Sequence, residues 1–433
     1  MTPRSSPSRS IAFVAAAVLL AGCATSAPTP LPSSSLASPS PAASGAPTSG
    51  ASPTPVDQST VYRNIEQQVI AIRGLKPKAE VNPTILDDAG LTKIITDGFN
   101  KDNPPKYVAA YGRLLTHMGL MKATDDLQKL FIELLSSQVI GLYDSDTKKL
   151  YVVSRTGGLG PTQEVTFAHE FTHAMQDQYY DLNKLNPTKL DEGDFGIART
   201  SLAEGDATLL MTIWAQANLT AAQLATIVQE ANDPASLAIL KKMPALLQET
   251  LQFPYSAGLS FVGAQFRTGG WDAVDALYKK PPDTTEQILH FDKYESGEKA
   301  VDVTFPADLA TRLGSGWKEV LQDTFGEFQE SVWLREVGGL AAAAANKSAA
   351  GWGGDRVVLL EGPNDAWAVV VDTAWDTKTD ASEFVDGADG IATALKASAS
   401  ADVLRHDPKT ATVLIASSPQ VLGKVANVLG LAG

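Results

Sequence analysis

A single cysteine among 433 residues, Cys23, excludes any disulfide within the chain. Histidine is nearly as scarce: His117, His169, His173, His290 and His406 are the whole supply of imidazole, 5 residues in all. Positive charge also runs short, with 35 Lys and Arg against 49 Asp and Glu and a formal net charge of -14 at pH 7. That excess of acid argues against nucleic acid or an anionic lipid surface as the main partner. Past residue 20, no apolar run is long enough to cross a bilayer. What is present is a globular composition, 44% hydrophobic and 19% charged, in a chain long enough for two or three domains. Without disulfides the folded part rests on core packing, helped by any metal it binds.

The N-terminus reads as an export signal over residues 1–23. Arg4 and Arg9 precede the apolar stretch Ile11 to Leu20, which is too short to be a mature membrane span. The segment ends in Leu20-Ala21-Gly22-Cys23, which resembles a bacterial lipobox. That resemblance implies cleavage before Cys23, a lipid on Cys23, and anchorage to the outer face of the bacterial cell membrane. The alternative is an ordinary signal peptide cut elsewhere. Residues 24–58 are rich in Pro, Ser, Ala and Thr and nearly free of charge, the composition of a disordered tether. Extended as polyproline II, such a tether reaches roughly 110 Å.

The informative stretch is Thr166-Phe-Ala-His-Glu-Phe-Thr-His-Ala-Met175, which contains His169, Glu170 and His173 in the order H-E-x-x-H. Residues four apart share a helix face, so both imidazoles reach one ion, and Glu170 lies beside it as a base. The flanking Phe167, Ala168, Phe171, Thr172, Ala174 and Met175 are uncharged, as a buried site helix requires. Pro161 suits the first turn of this helix, which is expected to run to about Gln178. Asp177, four residues after His173, is placed to orient a ligand imidazole or to be a solvated helix charge.

A catalytic zinc site takes a third protein ligand. No histidine follows at short range. The stretch Leu202-Ala-Glu-Gly-Asp-Ala-Thr208, on a helix expected over about 197–217, supplies Glu204 among small neighbours that let two helices approach closely. Asp206 lies roughly 200° around that helix from Glu204 and so supports the site from behind or caps a neighbouring segment. Here the sequence resembles the gluzincin metallopeptidases, whose third ligand is a glutamate on a later helix; by that resemblance Glu204 completes a site for one Zn2+ per chain. His169 to Gln178, Leu202 to Ala207, Phe253 to Gly258 and Pro281 to His290 together resemble a family of exported, largely uncharacterised bacterial and archaeal metalloproteases, over most of residues 60–420. Phe291 departs from its pattern, standing where proline follows the histidine. In gluzincins a later His or Tyr hydrogen-bonds the oxyanion, and His290, Tyr294 and Tyr255 are the candidates in that order. Read singly, each tyrosine is a core aromatic with a satisfied hydroxyl.

Elsewhere the periodicity predicts helices over Val61–Ile72, Lys106–Met121 and Asp125–Ser136, with His117 a core or boundary residue. Val139–Tyr143 and Leu150–Val153 read as a hairpin ahead of the site helix. Thr284 with Gln287 is a capping-box signature for a short helix ending near His290. After residue 355 four strands and two helices follow in ββαββα order, with His406 beside an exposed Asp407-Pro408 turn. The expected class is α+β, with a helical region 59–137, a mainly helical zincin-like core 138–345 and a C-terminal module 346–433. The resemblance implies a membrane-anchored zinc endopeptidase acting on protein or peptide. The alternatives are a non-catalytic envelope lipoprotein with a structural or vestigial metal site, and a zinc hydrolase of non-peptide bonds.

Overall fold

Two sequence features fix the framework: long, mostly apolar helices with few charges, and a late series of short β-rich runs. The computed structural model describes residues 58–153 and 159–431. The export signal, Cys23 and the tether to residue 57 lie outside the described residues, as does the start of the glycine-rich stop before Pro161. The fold is α+β, with helices around a three-stranded and a five-stranded sheet. No helix among the described residues is long and apolar enough to cross a membrane.

The chain begins with α1 (Gln58–Arg73), β1 (Pro83–Leu86), α2 (Asp88–Asp102), α3 (Pro105–His117) and α4 (Leu127–Gln138). The strand β1 corrects the expectation that 59–137 is wholly helical. Its four half-exposed residues are too few to show a period, and Pro83 stands at the start of an edge strand, where a missing N–H costs nothing. The expected hairpin forms from β2 (Gly141–Asp144) and β3 (Lys149–Val153), and β1 adds parallel to β3.

The site helix α5 (Pro161–Tyr180) is buried without a break from Val165 to Asp177. A helix buried on all sides belongs in the centre of a fold. The stripe Tyr62, Ile65 and Val69 of α1 packs on its Phe167 and Phe171, with the Tyr62 and Phe167 rings 4.5 Å apart. The chain continues through α6 (Leu182–Leu185), α7 (Gly193–Asn218), α8 (Ala221–Ala231), α9 (Pro234–Leu240) and α10 (Ala245–Leu277). The long α10 breaks at Gly269–Gly270, where Gly270 at φ 61° and ψ -151° takes a conformation other residues avoid. Next come α11 (Thr285–Leu289), capped by Thr284 accepting from the Gln287 amide at 3.2 Å, α12 (Phe291–Ser296) and α13 (Leu309–Arg312).

The second sheet uses β4 (Lys318–Asp323), β5 (Trp352–Glu361), β6 (Trp367–Trp375), β7 (Ser400–Leu404) and β8 (Thr410–Ala416), in the order β4-β5-β6-β8-β7. Helices α14 (Gly326–Glu336) and α15 (Ala342–Ala349) precede β5; α16 (Lys378–Leu395) and α17 (Leu429 at its end, Pro419 at its start) complete the expected ββαββα order. The expected boundary at 346 is corrected, because β4 already belongs to this sheet. Its sequence Lys-Glu-Val-Leu-Gln-Asp is an edge strand too charged to read as one. Alternation divides the sheet's faces cleanly. Val357, Leu359, Val369, Val371, Val413 and Ile415 join one core with Trp333 of α14 and Phe384 of α16. Val358, Leu360, Val370 and Leu414 face Leu309 of α13 and Val425 of α17. The first face is continuous with the core under α10, so the C-terminal strands and the helical body share one interior. His117 stacks on Trp367 with centroids 3.6 Å apart, a boundary residue between the two, and burial holds its pKa down to about 4.

Glu330 of α14 is fully buried, and neither carboxyl oxygen has a hydrogen-bond partner. Burial, with Asp355 nearby, pushes its pKa well above the ordinary carboxylate range. It is therefore neutral in the fold and ionised in the unfolded chain above about pH 4.5. Its raised folded pKa makes its contribution complete below that value and lost as pH rises. Replacing Glu330 by Met, similar in length and without a charge to desolvate, is expected to stabilise the protein by about 1–3 kcal/mol at pH 8 and by less at pH 4.5. Thermal unfolding at the two pH values checks this; an equal or lower stability of the variant at pH 8 contradicts it.

Candidate metal centre

The i, i+4 spacing on α5 turns His169 and His173 the same way, and their Nε2 atoms lie 3.0 Å apart. From α7, Glu204 places Oε2 3.2 Å from His169 Nε2 and 3.4 Å from His173 Nε2. A tetrahedral ion with bonds near 2.0–2.1 Å separates its ligand atoms by roughly 3.3 Å, so the three donor atoms are already spaced for one. All three side chains are buried, at 0%, 1% and 2% exposure. These residues form a group that can hold a metal ion.

The electrostatics of the three are coupled. Burial alone would raise the Glu204 pKa, but the two imidazoles carry it down to about 2. Burial alone would lower His173, but Glu204 carries it up to about 9. His169 is held below its ordinary value by burial.

Glu170 points beside this cluster and is fully buried. Neither of its oxygens has a well-formed hydrogen bond, and burial raises its pKa to about 8 against the pull of His173 and the Tyr143 backbone amide. A cation on the three ligands would draw that value down again. Strand β2 lies directly over it: a Cβ on Gly141 would come 2.7 Å from Thr166 Cγ2 and 3.2 Å from Glu170 Cγ.

Behind the ligands the arrangement differs from expectation. Asp177 does not orient an imidazole; it accepts from the Tyr143 hydroxyl at 2.7 Å and from Lys148 Nζ at 2.6 Å, binding the hairpin to α5. Gln176 takes that role, with Oε1 2.8 Å from His173 Nδ1. Its Nε2 donates to the Ala203 carbonyl at 2.9 Å and to Asp206 Oδ2 at 3.1 Å. Asp206 accepts from Arg73 and from the Tyr278 hydroxyl, a supporting place as expected. Arg73 was legible as a charge on an apolar stripe, one turn after Val69. Gln176 carries no such signal.

Of the three oxyanion candidates, Tyr255 lies at the site, its ring 6.1 Å from that of His169 at 24°. His290 instead bonds Glu327 at 2.8 Å. Its helix α11 docks through Thr285 on Asp194, about 15 Å along α7 from Glu204. Tyr294 donates to the Lys280 carbonyl at 2.7 Å and packs on Phe261. A second carboxylate group, Glu286, Glu298 and Asp376, is taken up by the Lys293 ammonium. A narrow cavity of ≈ 30 Å³ between β2, α6 and α7 reaches His173 and Glu204 and has room for water.

Glycine brings Glu204 within reach. A Cβ on Gly205 would lie 2.2 Å from the Gly258 carbonyl oxygen of α10, and one on Gly258 2.2 Å from the Ser201 carbonyl oxygen. Gly205→Ala is therefore expected to destabilise by about 2 kcal/mol or more. Gly196→Ala, on the same helix in open space, is expected to be stabilising by up to about 1 kcal/mol. Denaturant unfolding compares them, and equal tolerance at both positions contradicts the close-approach account.

The comparisons with known proteins bear on the other end of the chain. A family model described as a domain of unknown function (DUF8575) matches residues 311–425, which carry all five strands of the second sheet and none of His169, His173 and Glu204. No curated protein and no solved structure matches the chain.

Proposed function

We propose that the protein is an exported zinc-dependent endopeptidase, held at the outer face of the cell membrane by a lipid on Cys23. The observation that carries this reading is Glu170: a buried carboxylate beside three convergent donors, with no side-chain partner and no well-formed hydrogen bond to account for it. Two imidazoles and a carboxylate suit zinc among the common divalent ions. When bound, zinc lowers the pKa of a coordinated water to near 7 and polarises a carbonyl.

His169, His173 and Glu204 would hold the ion. Glu170 would take a proton from water as the peptide carbonyl is attacked and pass it to the departing amine. One C–N bond breaks, and one water is consumed into a carboxylate and an amine. Tyr255, beside His169, is the candidate to donate to the oxyanion. The edge of the first sheet, β2, lies against the site helix, where an extended peptide can add as a strand. The complete burial of the ligands also suits a structural metal in a non-catalytic lipoprotein, but such a site leaves Glu170 without a role.

Glu170→Gln is expected to keep zinc at the wild-type level while peptide hydrolysis falls about 10²–10⁴-fold. Zinc content and turnover of an unstructured protein substrate, measured on the same preparation, check both halves. Activity retained in this variant would sink the mechanism. His290→Ala, which removes a partner of Glu327, is expected to leave turnover within a few-fold of wild type in the same assay.

A further inference from the structure

Arg73 ends the apolar stripe Tyr62, Ile65, Val69 of α1, a position where an aliphatic side chain would pack without the cost of burying a charge. It is 2% exposed. Its Nε and Nη2 donate to the two oxygens of Asp206, both at 3.2 Å, and Nη2 also donates to Asp275 at 2.6 Å. The guanidinium stacks over Trp271 at 4.6 Å. A guanidinium has donors only, and the Tyr278 hydroxyl donates to Asp206 as well, so Asp206 offers acceptors to its surroundings.

Gln176 stands between this carboxylate and the metal centre. One end of its amide faces Asp206 Oδ2 at 3.1 Å and the Ala203 carbonyl oxygen at 2.9 Å. Both neighbours accept, so that end is the NH2 group. The other end, 2.8 Å from His173 Nδ1, is then the carbonyl oxygen. It requires a proton on Nδ1 and leaves the lone pair of a neutral ring on Nε2, the nitrogen that faces His169 Nε2 and Glu204 Oε2. A reversed amide would set the proton on Nε2, where it would block a metal.

We infer that Arg73 is a positioning residue for the metal centre, fixing the tautomer and ring orientation of His173 through Asp206 and Gln176. This rests on the proposed zinc site and makes α1 a component of it, although α1 precedes the site helix by nearly ninety residues of chain. It also gives the buried Arg73–Asp206 pair a role that packing alone would not require.

Two measurements test it. In the zinc-loaded wild type, long-range proton–nitrogen correlations of the histidine rings, tractable with 5 histidines, are expected to show His173 protonated at Nδ1 and ligated through Nε2. Ligation through Nδ1 overturns the inference without any substitution. Separately, zinc competition with a chelator is expected to show affinity about 10–100-fold weaker in Arg73→Met and Gln176→Met. Asp275→Asn, which alters the other partner of Arg73, is expected to stay near wild type. Wild-type zinc affinity in folded Arg73→Met and Gln176→Met, with only their melting temperatures lowered, overturns the relay and leaves the zinc site standing. A wild type that binds no zinc overturns both.

Discussion

Two imidazoles and a carboxylate within 3.4 Å of one another, all buried, are the constraint on which the rest of this structure turns. Each polar group buried without a partner costs of order 1–3 kcal/mol, and a charge costs more. The fold answers on the side of His173: Gln176 on His173, Asp206 and the Ala203 carbonyl on Gln176, Arg73 and Tyr278 on Asp206. His169 Nδ1 and the Glu170 carboxylate stay outside that network, buried without a well-formed hydrogen bond. Buried polar groups left so call for an explanation other than packing.

The same requirement explains the backbone around the site. Glu204 reaches the histidines only because α7 lies against α10 with glycine on both helices at the contact, and α5 sits beneath β2 at Gly141. A similar glycine closes the far end of α7: Gly326, at φ 70°, leaves no room for a Cβ beside Asp194, while Asp355 accepts from the Phe325 and Gly326 amides at 2.9 and 2.8 Å. The C-terminal sheet therefore braces the helix that carries Glu204. A separate module would leave that helix end, and the carboxylates that hold it, exposed.

Much of this was readable from the sequence. The H-E-x-x-H face, the hairpin and the ββαββα order follow from local periodicity, which sequence displays directly; Glu204 came from the resemblance to gluzincins, supported by its small neighbours. What was not readable depends on contacts distant in sequence. The short strand β1 has too few residues to show a period, and β4 is polar because it is an edge. Asp177 and Gln176 are adjacent on α5, and spacing left Asp177 either to orient an imidazole or to be a solvated helix charge. The structure chose the amide because Tyr143 and Lys148 of the hairpin hold Asp177, while Asp206 and Ala203 of α7 orient Gln176. His290, chemically suited to an active site, is instead held by a glutamate that arrives from α14.

The central claim is that His169, His173 and Glu204 hold one metal ion together. The most direct measurement is the zinc content of the purified chain beside that of its Glu204→Ala variant, after identical exposure to zinc and removal of excess. The account predicts one zinc per wild-type chain and markedly weaker retention in the variant. No zinc in the wild type, or zinc held equally well by both, would contradict it.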